Sequence, residues 1–288
     1  MELIPLQSDQ ERYAESFLVY WNLSRNVEAF QNWINSYFPE KIMKEIKVEK
    51  EKELMVLGVG SGPGQTECLV LQHLLKQWPK IRDTVVEPDL SYINKYQDLA
   101  AKKTELIDGV SFDWRQQTLQ QFRQETQDQP MKKYHFIMLF HVLYSFQDLA
   151  DILKYLMSIL DDGGMILAMM ESDDDSCIPQ IQRKLAQFKK NVYPLSTRDV
   201  EKALTKLQIQ FVKHHMQVKM DATSCFDDES KEGELLLEFL TKSAFFKETA
   251  SKSLYCDVIE YLKSIALPES EDGKIWIRCD SDAIVITK

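Results

Sequence analysis

Four glycines alternate through Gly58-Val59-Gly60-Ser61-Gly62-Pro63-Gly64, directly after the apolar run Leu54–Leu57 and before a helical stretch. Glycine at such a strand-to-helix turn opens backbone angles closed to other residues and lets a ligand come up against the main chain. A dinucleotide-binding G-x-G-x-x-G needs its third glycine at position 63 or 65, where the chain has Pro63 and Gln65. The spacing suits a nucleoside without a pyrophosphate. Glu87 closes the next apolar run, near the ~20-residue distance expected of an acid that accepts hydrogen bonds from ribose hydroxyls. A carboxylate offers only acceptors, which matches two vicinal O–H donors. Taken singly, the loop is a tight turn and Glu87 a strand-end acid; loop, acid and element order together favour the ligand.

A further apolar run, Phe136–Phe140, leads into His141-Val142-Leu143-Tyr144. That puts a polar end at the carboxyl edge of a sheet strand, where open α/β sheets bind ligands. His141 can accept an N–H from a substrate ring or simply line a pocket, and Tyr144 can orient a ring by its face or its hydroxyl. The acids Asp173–Asp175 read as a solvated loop, and no metal is expected. Cys68, Cys177, Cys225, Cys256 and Cys279 are scattered without a C-x-x-C pair, which fits free thiols in a reducing compartment.

Lys plus Arg number 35 against 45 Asp plus Glu, a formal charge of −10. The basic residues of Lys44–Lys52 interleave with glutamates, so no phosphate-tracking patch emerges and nucleic acid is not an expected partner. The N-terminus lacks the basic and apolar regions of a signal peptide, and no apolar run reaches the ~20 residues needed to cross a bilayer. A cytoplasmic monomer with no membrane partner is expected.

These residues need a scaffold. Short apolar runs at Leu54–Leu57, Thr84–Val86, Val110–Phe112, Phe136–Phe140 and Met165–Met170 alternate with stretches of helical periodicity at Gln65–Gln77, Leu90–Ala101, Leu119–Gln127 and Leu149–Leu160. This is the pattern of an α/β fold, a parallel sheet with helices on both faces. Residues 9–46 read as helical and rich in aromatics. Beyond the core the periodicity predicts helices over Pro179–Lys190, Thr197–Leu207, Gly233–Phe245 and Leu254–Ile265. Strands are predicted over Ile209–Val218, Ile275–Arg278 and Ala283–Thr287, and an exposed loop over Ser224–Glu232.

The glycine loop, Glu87, the His141 strand end and the Gly163-Gly164 turn, in this order, resemble class I methyltransferases, with a Rossmann-like sheet and a small appended substrate-binding region. Across the whole chain the resemblance is to histamine N-methyltransferases. It is carried by Tyr13-Ala14-Glu15-Ser16-Phe17, Val85-Val86-Glu87-Pro88, the Tyr144 segment, and Met220-Asp221, Cys225-Phe226 and Gly233–Thr241. The resemblance implies S-adenosyl-L-methionine as cofactor, S-adenosyl-L-homocysteine as product and a small imidazole as substrate. It places Gly58, Gly60, Ser61, Gly62, Glu87, Tyr92, Thr118, Leu119 and Phe140 on the cofactor. It makes Tyr13, Phe17, Tyr144 and Phe239 walls of the substrate pocket, with Asn26, His141 and Cys279 also facing the substrate and His141 and Tyr144 as the catalytic pair.

Where that family has a glutamate for a cationic amine, this chain has Asn26. His141 replaces a glutamine, Cys279 an asparagine, and Ser176–Ile181 lacks two tryptophans. These departures resemble paralogues that methylate carnosine to anserine, with Arg25 and Arg278 as candidate clamps for a substrate carboxylate. Histamine as substrate, and an inactive cofactor-binding partner protein, are the alternatives. The expected organisation is an N-terminal helical cap (1–48), a cofactor-binding core (49–190), a substrate-binding insertion with further core elements (191–272) and a C-terminal core strand (273–288).

Overall fold

The structure is a computed structural model that describes residues 3–127, 130, 132–188, 195–268 and 273–288. In chain order the first half forms β1 (Ile4–Pro5), α1 (Gln10–Leu23), α2 (Asn26–Asn32), a π-helix (Trp33–Ile42), β2 (Leu54–Val59), α3 (Gln65–Leu74), β3 (Ile81–Val86), α4 (Leu90–Lys102), β4 (Val110–Arg115), α5 (Leu119–Thr126), β5 (Tyr134–Phe140) and α6 (Leu149–Ile159). The second half forms β6 (Leu160–Ser176), α7 (Cys177–Leu185), α8 (Thr197–Lys206), β7 (Val212–Met216), β8 (Lys219–Asp221), α9 (Lys231–Thr241), β9 (Ser243–Ala244), α10 (Phe246–Thr249), α11 (Lys252–Ser264) and β10 (Trp276–Thr287). Two compact units divide the chain: Met1–Ala29 with Glu171–Arg198 and His215–Ser281, and Phe30–Met170 with Asp199–His214 and Asp282–Lys288.

The second unit carries β2, β3, β4 and β5 with Leu160–Met170 of β6 and Asp282–Thr287 of β10, and the sheet runs in the order β4-β3-β2-β5-β6-β10-β7. Its central strands are nearly continuous apolar runs because both faces are covered: Val56, Leu57, Phe136, Ile137, Met138, Leu139, Ile166 and Leu167 are all fully buried. β2, β3, β4, β5 and β6 pair in parallel. The helices between them start at side-chain caps, as the sequence chemistry demands. Asp89 accepts the Ser91 N–H at 2.7 Å, Asp148 the Asp151 N–H at 3.0 Å, and Thr118 forms a capping box with Gln121. The last strand enters beside β6 with its end against the start of that strand: Gly163 N–H donates to Lys288 O at 3.0 Å and Lys288 N–H to Gly164 O at 3.2 Å. This is an α/β fold with helices on both faces of the sheet.

In the first unit α1 lies on α9. Arg12 donates bidentately to Glu238 at 2.7 and 2.6 Å, and Tyr20 stacks on Phe239 with ring centroids 4.2 Å apart. Leu236, Leu237, Leu240, Ile178, Ile181 and Leu262 complete the core around them. β8 pairs antiparallel with the first residues of β10.

Several boundaries differ from the sequence reading. Residues 9–46 form two α-helices and a π-helix enclosing Pro39, a place where the missing proline N–H already breaks the regular ladder. The two terminal β-like runs are one twelve-residue strand, β10. The stretch expected as a helix to Phe245 ends at Thr241, where Lys242 takes a left-handed conformation, φ 51°. The Asp173–Asp175 loop is instead part of β6, and Asp173 is buried. Arg183 and Ser196 bond its carboxylate and Arg198 pairs with it at 3.0 Å, so the charge is compensated without solvent. The ends of the expected helix Pro179–Lys190, at 189 and 190, and the expected boundaries at 190 and 272 lie outside the described residues.

Candidate active site

The chain between β2 and α3 is held by main-chain bonds before any ligand is considered. Gly60 N–H donates to Val86 O at 2.8 Å and Gly64 N–H to Ser61 O at 3.1 Å. Gly62, at φ 53°, takes a conformation that L side chains rarely adopt, and a Cβ there would meet nothing within 4 Å. At Gly60 a Cβ would fall 2.4 Å from Val142, so its lack of a side chain lets the loop sit against the segment after β5.

Glu87 directly follows β3 and is almost buried, at 6% exposure. One carboxylate oxygen accepts the Gly62 N–H at 2.9 Å and the other the Asp89 N–H at 3.0 Å. Each oxygen keeps a second lone pair for a ligand hydroxyl. The acid therefore links the glycine loop to the start of α4 and is held in one orientation by the protein itself. Tyr92, one turn into α4, is half-buried, and burial with the charges of Asp89 and Glu87 raises its phenol above the ordinary range. Thr118 and Leu119 open α5, and Leu119 is buried.

At the end of β5, Phe140 and His141 are half-buried. His141 takes φ 51° with its N–H on Met169 O at 2.9 Å, and its ring lies 5.3 Å from that of Phe30. A non-glycine residue in this region is strained by roughly 1–3 kcal/mol, and such residues cluster at functional sites. Tyr144 stands on the following helical turn, 45% exposed.

The first unit collects its own share of the expected residues. Tyr13 and Phe17 stack at 6.3 Å, and Phe239 lies 6.4 and 5.9 Å from them. Asn26 is buried, donating to Tyr20 Oη at 2.6 Å and Ser24 Oγ at 3.1 Å. Burial, Cys279 and Glu171 push the Tyr20 phenol well above its usual range. Cys279 Sγ lies 3.2 Å from Cys177 Sγ, a proximity that spacing of 102 residues conceals; all five cysteines are free. Arg278 pairs with Asp175 at 2.9 Å and with Asp280. Arg25 pairs with Glu28 at 2.7 Å, so both clamp candidates already carry protein carboxylates.

Sequence reasoning missed Tyr20 as the partner of Asn26, although it continues the helical spacing of Tyr13 and Phe17. It also missed Glu67, an acid on the otherwise apolar face of α3 formed with Val70, Leu71 and Leu74. That oddity was visible in the periodicity. Among the described residues, Asp175, His215 and Asp280 bring their ligand atoms within 4.8 Å of one another, but the Arg278 guanidinium supplies the positive charge there. No helix among the described residues is long and apolar enough to cross a membrane.

Residues 30–224 match a family described as a methyltransferase domain. Histamine N-methyltransferase A of Xenopus laevis is 31% identical, with the match covering 99% of this chain and 98% of that protein. Histamine N-methyltransferase of Mus musculus is 27% identical over 98% and 96% of the two chains. Among solved structures, the Bacillus subtilis YcgJ protein shares the fold with a TM-score of 0.53 at 13% identity, covering 88% of this chain and 98% of its own.

Proposed function

The chain belongs to the histamine N-methyltransferase family of S-adenosylmethionine-dependent methyltransferases, and from that premise we propose that it methylates a ring nitrogen of a small imidazole, with carnosine as the preferred substrate and anserine as product. The observation that carries the substrate choice is Asn26. It is a neutral amide, 3% exposed and tied to Tyr20 and Ser24, where the resemblance expects a carboxylate for a cationic amine. A desolvated ammonium without a charged partner is expensive, whereas a charged hydrogen bond contributes about 1.5–3 kcal/mol. Carnosine adds an amide and a carboxylate to the imidazole and depends less on that one contact.

The residues of the loop fit an adenosyl nucleoside: Gly62 leaves its main chain open and Glu87 offers acceptors only. In this reading Gly58, Gly60, Ser61, Gly62, Glu87, Tyr92, Thr118, Leu119 and Phe140 hold the cofactor. When bound, it supplies an electrophilic methyl carbon on a sulfonium. Imidazole titrates near ~6.5, so its lone pair is mostly free at cellular pH and no strong base is needed. The chain then contributes chiefly by positioning. His141 accepts the N–H of the non-reacting ring nitrogen and steadies the charge that develops on the ring. Tyr144 orients the ring, and Tyr13, Phe17, Phe239 and Cys279 remain substrate residues by resemblance. Histamine is the second reading, favoured by the names of the relatives.

With isotopically labelled S-adenosylmethionine, the purified chain is expected to methylate carnosine faster than histamine. Equal or reversed rates reject the substrate choice. Transfer to neither rejects the imidazole reading, and NMR of the product identifies the nitrogen that reacts.

A further inference from the structure

Gly58 has no side chain, and the space one would fill is taken. A Cβ built there falls 2.7 Å from each carboxyl oxygen of Glu67 and 2.7 Å from Ser61 Oγ. Glu67 comes from the first turn of α3 and is 2% exposed. The groups packed against its carboxyl are Ser61 from the loop, Tyr96 from α4, Asp83 from β3, and Glu87 at that strand's end; both Glu67 carboxyl oxygens, Ser61 Oγ and Tyr96 Oη are buried and make no hydrogen bond of ordinary geometry among the described residues. No cation is among them. The adjacent Cys68 thiol lies beside the same groups, and the charge of Lys103 acts on it. A buried carboxylate with no cation is costly, and such an acid keeps its proton.

We propose that Glu67 is a positioning residue for cofactor binding, a neutral carboxylic acid that receives the Ser61 and Tyr96 hydroxyls and braces the Gly58–Gly64 loop from behind. This rests on the reading that the loop and Glu87 hold the cofactor. Burial first, then the charge of Asp83, pushes the Glu67 acid well above the usual carboxyl range, and burial lifts Asp83 to about 7. Two such neighbours retain a proton at neutral pH. Ser61 is flanked by Gly60 and Gly62, whose N–H groups go to Val86 O and Glu87. A Ser61 hydroxyl that turns onto the neighbouring Glu67 carboxyl, both lying 2.7 Å from the Cβ position of Gly58, would fix the peptides that the cofactor approaches. Glutamine has the shape of the protonated acid and keeps an acceptor oxygen. Alanine leaves two buried hydroxyls without it.

The test is calorimetric titration of the full chain with S-adenosylhomocysteine, comparing wild type, Glu67→Ala, Glu67→Gln and Glu87→Ala, with circular dichroism to confirm folding. Glu67→Ala is expected to weaken binding by roughly tenfold or more, and Glu67→Gln to recover most of that loss. Wild-type affinity is expected to decline as alkaline pH strips the retained proton, and that of Glu67→Gln to decline less. If Glu67→Ala binds like wild type while Glu87→Ala binds poorly, the loop reading stands and the role of Glu67 is overturned. An unchanged Glu87→Ala removes the loop reading itself. Should Glu67→Ala not fold, Glu67→Gln decides: affinity as poor as that of Glu87→Ala means the charge is required, and the neutral-acid proposal fails.

Discussion

At the scale of single residues, Asn26 and Glu87 differ in how much of their proposed roles the sequence exposes. Glu87 could be singled out because its signal is local: it closes an apolar run beyond a glycine turn, and its carboxylate accepts the Gly62 N–H. Asn26 has no local signature, and the part proposed for it rests on the resemblance and on its burial against the Tyr20 hydroxyl. A glutamate at position 26 would reverse these bonds, accepting from the Tyr20 and Ser24 hydroxyls to which Asn26 donates, and add the charge that an ammonium seeks. Asn26→Glu is therefore expected to shift the ratio of kcat/KM values for histamine over carnosine upward by roughly tenfold, the equivalent of about 1.4 kcal/mol. The ratio is internal to each preparation, so partial misfolding does not imitate the effect. An unmoved ratio takes Asn26 out of the specificity argument.

At the scale of elements, the α1–α9 contact was half visible. The apolar spacing of Tyr13, Phe17 and Tyr20 announced a packed helix, but nothing in the sequence named Glu238, 226 residues from Arg12, as the partner of its polar edge. Glu238 is almost fully buried and Arg12 half-buried, with side-chain exposures of 2% and 16%. Removing one partner of such a pair leaves an uncompensated charge and costs about 3–5 kcal/mol. Arg12→Ala is expected to lower the unfolding free energy by about that amount in a urea titration. Replacing both residues by Met and Leu should return much of it. A loss under about 1 kcal/mol would mark the pair as solvent-screened. The same physics explains the misread Asp173: an acid run signals solvent only until distant arginines close on it, and here Arg183 and Arg198 do so.

At the scale of the whole molecule, buried titratable groups make stability depend on pH with opposing signs. Asp83 has a folded-state value raised to about 7, so the folded chain holds a proton that the unfolded chain releases near ~4. Its contribution is complete below the unfolded value and is lost as pH rises through the folded one. His73 and His135 are lowered by burial, so they act the other way and favour the folded state as pH rises through about 6.5. Subtraction separates the two. The stability of wild type minus that of Asp83→Asn is expected to fall by on the order of 1 kcal/mol per unit between about pH 4 and 7, then level off. A flat difference would show that Asp83 stays ionised in the folded chain. The sequence alone determined the alternation of strands and helices, the glycine turn with its acid and the family resemblance, because these depend on periodicity, backbone freedom and short spacing. Only tertiary structure decided which charges are buried and what compensates them. Glu67 beneath the glycine loop, Asn26 on Tyr20, and the continuation of β6 and β10 through their acidic residues all depend on partners brought close by folding rather than by position along the chain.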